Sequence, residues 1–130
     1  LMKVFRYSDV CLVTPLRDGM NLVAKEFVAA QEPANPGVLI LSQFAGAANE
    51  LTSALIVNPY DRDDMAAALD RAITMPLAER IARHGEMLEA IRENDIERWQ
   101  ARFIDDLKAI TPRSEESQMR NKVATFPRLA

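Results

Sequence analysis

Three short apolar runs divide the first half of the chain. Val10-Cys11-Leu12-Val13-Thr14 is closed by Pro15, Val38-Leu39-Ile40-Leu41-Ser42 follows a turn cluster at Pro33-Ala34-Asn35-Pro36-Gly37, and Ala54-Leu55-Ile56-Val57-Asn58 is stopped by Pro59. Their length, β-branched content and lack of polar alternation predict strands buried on both faces, as in a parallel sheet. Between them the apolar positions change period. Residues 1–8 read as the tail of a helix with Met2, Val4 and Phe5 on its apolar side, and Met20 to Gln31 as a helix with Leu22, Val23, Phe27 and Ala30 on one stripe. Ala47 to Leu51 reads as a short helix after the loop Gln43-Phe44-Ala45-Gly46.

After Asp61 the pattern is helical. Asp61 is placed to cap a helix, with Asp64 three positions on and a stripe of Met65, Leu69 and Ile73. Pro76 opens a second helix with Leu77, Ile81, His84, Leu88 and Ile91 on one side. A third helix carries Ile96, Trp99, Phe103, Leu107 and Ile110, and from Pro112 the chain turns polar and irregular. Strands alternating with helices through short connections predict an α/β fold, a parallel sheet covered by helices. The expected divisions are 1–61 (sheet and ligand loops), 62–111 (helices) and 112–130 (irregular tail). Three apolar strands would leave a hazardous open edge, so further strands and a second domain are expected before Leu1.

Composition narrows the function. Hydrophobic residues make up 48% of the 130 and charged residues 27%, enough to build and solvate one core. The net charge of −3 gives no basic field for nucleic acid or anionic lipid, so neither is expected as a partner. Any phosphate would have to be held by local dipoles and single cations. Cys11 is the only cysteine, which excludes an intrachain disulfide and suits a reducing, cytoplasmic setting. No run reaches the length of a membrane span.

In open α/β sheets, ligands bind beyond the carboxyl ends of the strands. The loops there run over Pro15–Gly19, Gln43–Ala47 and Pro59–Asp61. The first has a carboxylate, Asp18, and a glycine, Gly19, ahead of a helix whose opening amides at Asn21, Leu22 and Val23 suit a diphosphate. Asp18 could equally cap that helix. Glu26 falls on the stripe with Leu22 and Val23, so it is either a solvated stripe edge or an inward carboxylate meeting ligand hydroxyls. Lys25 points away from that stripe and is expected to be solvated. The segment Phe44-Ala45-Gly46-Ala47-Ala48-Asn49-Glu50 is either a second ligand loop or a turn into a helix. His84, Cys11, Trp99 and Phe103 are expected to be packing residues. No grouping of ligands suggests a metal.

Two stretches are more specific than these spacings. Tyr7-Ser8-Asp9-Val10 followed by Val13-Thr14-Pro15-Leu16-Arg17-Asp18-Gly19-Met20-Asn21-Leu22-Val23-Ala24-Lys25-Glu26-Phe27 closely resembles trehalose-6-phosphate synthases. So does Leu41-Ser42-Gln43-Phe44-Ala45-Gly46-Ala47-Ala48-Asn49-Glu50-Leu51, followed by Ala54 to Asp61. The likeness covers nearly the whole chain. It implies the second half of the C-terminal Rossmann-like domain of a two-domain GT-B glycosyltransferase. The implied reaction moves glucose from UDP-glucose to glucose 6-phosphate with retention, giving α,α-trehalose 6-phosphate.

By the same resemblance, Asp18 is the catalytic-site acid that holds donor glucose hydroxyls, with Gly19, Met20 and Asn21 beside it. Leu22 and Val23 offer amides to the diphosphate. Glu26 takes the ribose, closing the nucleotide stretch through Ala24 and Lys25. No metal or cofactor is implied, UDP-glucose being the donor substrate. The implied partners are the two sugar substrates and the preceding part of the same enzyme, with a homo-oligomer left open. A basic pair for the leaving diphosphate and the acceptor-binding residues are expected upstream of Leu1, so the chain alone is expected to be inactive. Another retaining GT-B transferase, or a non-catalytic α/β interaction module, would share parts of this pattern.

Overall fold

The computed structural model describes residues 1–94 and 96–109. Helix α1 spans Met2–Arg6, strand β1 Val10–Val13, helix α2 Leu22–Ala30 and strand β2 Val38–Ser42. A 3₁₀ turn follows at Gly46–Asn49, then strand β3 at Leu55–Val57 and helices α3 at Arg62–Thr74 and α4 at Leu77–Glu93. The three strands form one parallel sheet in the order β1-β2-β3, with Val10 opposite Val38 and Ile40 opposite Leu55. The α/β fold expected from the pattern is the fold observed. The chain divides into two compact units, 1–95 and 96–130. Helix α5, Ile96–Ala109, belongs to the second and exposes Phe103, Ile104 and Leu107. Ile110 and the irregular tail from Pro112 lie outside the described residues, as do the side chains of Ile96 and Trp99.

Alternation along the strands creates two cores. Val13, Leu39 and Leu41 point to one face and pack with Ala24, Phe27 and Val28 of α2 and Met87 of α4. Val38, Ile40, Leu55 and Val57 point to the other and pack with Ala68 and Ala72 of α3 and with Met75. Helix α2 lies over β1 and β2, whereas α3 lies over β2 and β3. This diagonal cover buries all of β2 and leaves Leu12 and Ile56 exposed on the flanking strands.

The same geometry corrects three helix stripes. On α2 the buried positions are Ala24, Phe27, Val28 and Ala30, while Leu22 and Val23 are exposed. The helix starts two residues later than Met20, because Asn21 is turned out of the helical region, and the buried face rotates accordingly. On α3 the inward positions are Met65, Ala68, Leu69 and Ala72, and Ile73 is 75% exposed. Small alanines let α3 approach the sheet, which a β-branched residue there would hold off. On α4, His84 and Met87 are buried and Leu77 and Ile81 are exposed.

Polar residues close the helix ends and the base of the sheet. Asp61 caps α3 as expected, its Oδ1 accepting from the amides of Asp63 and Asp64 at 3.0 and 3.1 Å. The Asp64 carboxylate reaches back instead to the Asn58 amide, at 2.9 Å. His84 packs as expected, its Nε2 3.0 Å from the Val28 carbonyl oxygen and therefore donating to it. Gln31 is buried at the base of the sheet. Its side chain donates to the carbonyls of Phe5 and Ser8 and accepts from the Gly37 amide at 2.5 Å, tying α1, α2 and β2 together.

Gln31→Leu keeps the volume and strands those groups, so it should destabilise the fold by about 1–3 kcal/mol. Asp61→Ala removes one exposed cap and should cost about 1 kcal/mol. Denaturant titration of the two variants checks both the sizes and their order.

Candidate functional site: the loops at the carboxyl edge of the sheet

All three βα loops emerge at the same edge, and the first two are bonded directly to each other. The Asp18 amide donates to the Phe44 carbonyl at 3.2 Å, and the Gly46 amide donates to the Asp18 carbonyl at 2.9 Å. The Ala47 amide donates to the Met20 carbonyl at 2.6 Å. Asp18 and Ala45 form an isolated parallel bridge beyond the strand ends. A Cβ at Gly46 would overlap the Gly19 carbonyl and sit 3.2 Å from the Met20 nitrogen. The close approach therefore belongs to Gly46. Gly19 has open space around its Cβ position.

The second loop is itself anchored. Buried Ser42 accepts from the Phe44 amide through Oγ at 3.1 Å, and the Gln43 amide donates to the Val57 carbonyl at 3.0 Å. Ala45 and Ala47 are buried beneath it. Phe44 meets Tyr60 of the third loop edge-on, with ring centroids 5.8 Å apart.

Asn21 is the hinge between loop and helix. It has φ 76°, the only positive φ outside glycine among the described residues. Such a backbone costs of order 1–3 kcal/mol, and Asn tolerates it best because its short side chain bonds locally. Here Asn21 Oδ1 accepts from the Ala24 amide and Nδ2 donates to Asp18 Oδ2, both at 2.9 Å. Asn21, not Asp18, is thus the helix cap. Asp18 stands one step back, its Oδ1 accepting from the Met20 amide at 3.1 Å. These donors, with Met20 first, hold the Asp18 carboxyl below the ordinary aspartate range. Each of its oxygens accepts one bond and has lone-pair capacity left over.

The amides of Leu22 and Val23 meet no acceptor among the described residues, as the opening turn of a helix leaves them. The exposed face of α2 that starts there runs on to Glu26, half-buried and without a hydrogen-bond or ion-pair partner among the described residues. Glu26 is therefore a stripe-edge acid beside exposed Leu22 and Val23, not one sunk among buried apolar neighbours. Lys25 departs from expectation. Instead of lying solvated, its Nζ sits 2.7 Å from Glu50 Oε2, with the two side chains 19% and 34% exposed. Glu50 was legible only as part of a loop, because its partner is 25 residues away in the chain.

Burial pushes the Cys11 thiol up, which lowers its thiolate fraction. Among the described residues no group of His, Cys, Asp or Glu is arranged to hold a metal ion, and no helix is long and apolar enough to cross a membrane.

Known proteins match this chain over about a quarter of their own length. The model of Glycosyltransferase family 20 matches residues 1–109. The chain is 82% identical over all its 130 residues to the trehalose-6-phosphate synthase of Salmonella typhi, covering 28% of that protein. It is 80% identical to that of Klebsiella pneumoniae subsp. pneumoniae, covering 27%. A solved structure named "Trehalose-6-phosphate from E. coli bound with UDP-2-fluoro glucose" aligns at 80% identity and a TM-score of 0.77, over 86% of this chain and 25% of that one. The α,α-trehalose-phosphate synthase (UDP-forming) of Burkholderia xenovorans in complex with glucose-6-phosphate aligns at 61% identity and a TM-score of 0.78, over 83% and 24%. The chain thus spans a little over a quarter of the length of the curated relatives it matches. Since the matched residues hold the whole sheet, both interlocked loops and α2, the chain belongs to glycosyltransferase family 20.

Proposed function

We propose that this chain carries the donor half of a retaining transferase that moves glucose from UDP-glucose to glucose 6-phosphate, forming α,α-trehalose 6-phosphate. The carrying observation is the Asp18–Asn21–Ala24 relay, which aims a half-used carboxylate and two open amides at one edge of the sheet. In this reading Asp18 accepts from glucose hydroxyls, with Gly19, Met20 and Asn21 shaping the floor. As the bond from the anomeric carbon to the diphosphate breaks, negative charge grows on the leaving oxygen. The amides of Leu22 and Val23, backed by the α2 dipole, favour that charge. Glu26 accepts from the ribose hydroxyls one turn further on. Ala24 lies beneath this stretch in the core, and Lys25 braces it from the side.

UDP-glucose is the donor substrate, and the proposal invokes no metal or further cofactor. The likeness to proteins crystallised with a UDP sugar and with glucose-6-phosphate supports the substrate pair. Acceptor-binding groups and cations for the departing UDP are assigned to the rest of the polypeptide, in the cytoplasm.

In the complete enzyme, Glu26→Ala should raise the KM for UDP-glucose about 10–100-fold through the loss of charge-assisted hydrogen bonds. Its thermal midpoint should stay close to the parent's. A lowered midpoint with unchanged donor kinetics would mean that Glu26 is structural.

Asp18→Asn should reduce kcat/KM for the donor by about 10²–10³-fold. Because the folded-state pKa of Asp18 is depressed, its contribution to holding the turn is complete above the ordinary value of 3.8 and is lost as pH falls through the lower folded value. Hydrogen exchange at the Met20 amide should therefore remain protected from neutral pH to pH about 5 and weaken only in stronger acid.

The 130 residues alone should form no trehalose 6-phosphate from the two substrates. A product assay on the isolated chain tests that division of labour.

A further inference from the structure

Asp18 and Glu26 grip opposite ends of one ligand in the reading above, so their separation has to be held. One segment touches both ends. Gly46 and Ala47 bond to the backbone of Asp18 and Met20, and Glu50 pairs with Lys25, the neighbour of Glu26. The segment is not an adaptable surface loop. Ala45, Ala47 and Leu51 are buried, and its start is tied to Ser42 and Val57. At Gly46 any side chain would drive into the Gly19 carbonyl, so the spacing between the two loops is set by the missing Cβ. At the other end, the Lys25–Glu50 ion pair, 19% and 34% exposed, links the segment to α2 beside Glu26.

We infer that Gly46 and Glu50 are positioning residues for donor binding, acting through Gly19–Met20 and through Lys25 respectively; the inference rests on the donor-site reading. Neither residue touches substrate. Gly46 sets how far the Asp18 loop stands from the second loop, and Glu50 sets where the opening turns of α2 stand. A displacement of about 1 Å in such a site is enough to lose about a hundredfold in rate.

The test uses the complete enzyme and compares Gly46→Ala, Glu50→Ala, Glu50→Gln, Lys25→Met and the Lys25→Met/Glu50→Ala double variant. Gly46→Ala should lower kcat/KM for UDP-glucose about 10–100-fold, while the KM for glucose 6-phosphate stays within about twofold of the parent. Glu50→Ala should raise the UDP-glucose KM, and Glu50→Gln, which can still accept from Lys25, should recover part of the loss. The double variant should be no worse than the poorer single variant, since both remove one interaction.

Unchanged donor kinetics in both Gly46→Ala and Glu50→Ala would overturn the inference. So would equal losses for donor and acceptor accompanied by a lowered thermal midpoint. Should Gly46→Ala fail to fold, the Glu50 series and its double variant decide the matter. Asp18→Ala in parallel separates the two levels: if it spares donor use, the donor-site reading falls. If it cripples donor use while Gly46→Ala and Glu50→Ala behave as the parent, only the positioning role falls.

Discussion

Everything at the carboxyl edge of this sheet depends on backbone bonds between two loops that are far apart in the chain. Where parallel strands end, their amides and carbonyls lose ladder partners and must find others or water. Here Asp18, Met20, Phe44, Gly46 and Ala47 satisfy one another, extending the β1–β2 pairing by a single bridge. The contact closes only because Gly46 has no side chain. With that loop fixed, Asn21 can hold its left-handed backbone and turn the chain into α2 at a defined angle.

In the proposed reading the same few groups serve folding and ligand chemistry, which is how an acidic chain would hold an anionic sugar nucleotide. A net charge of −3 offers no attraction at long range. In that reading local dipoles take its place: the opening amides of α2 meet no acceptor among the described residues, and the Asp18 carboxylate is half-satisfied by Met20 and Asn21. The one cation in the Leu22–Glu26 segment, Lys25, is already engaged by Glu50. On the proposed reading, neutralising the charge of a departing UDP would fall to groups elsewhere in the polypeptide, of which this chain spans 28% in the Salmonella typhi relative.

The sheet is covered diagonally. With α2 over β1–β2 and α3 over β2–β3, both helices bury apolar surface against the central strand, and α2 also meets the second loop through the Gly46–Asn49 turn and the Lys25–Glu50 pair. At the opposite end the polar accounting is closed internally: Gln31 ties α1 to β2, and His84 bonds the Val28 carbonyl. Buried polar groups at that end are spent on structure, which leaves the open acceptors and donors at the carboxyl edge.

Local chemistry determined a good deal by sequence alone. Apolar runs bounded by proline set the three strands, since period and length suffice to distinguish a buried strand from a helix. Asp61 identified its cap because the cap and its amides lie within three residues. The likeness at Arg17–Glu26 singled out the loop proposed for the donor, because the relevant atoms are contiguous in the chain. What tertiary structure alone decided was orientation and pairing. Which face of α2 is buried turned on the φ of Asn21, and that depends on a loop bonded to residues more than 20 positions on. Whether Lys25 is solvated turned on Glu50, and which of the two loop glycines permits the close approach turned on Gly46 meeting Gly19 across the sheet edge. Those outcomes depend on distances between segments that are remote in sequence, and one-dimensional periodicity carries no measure of such distances.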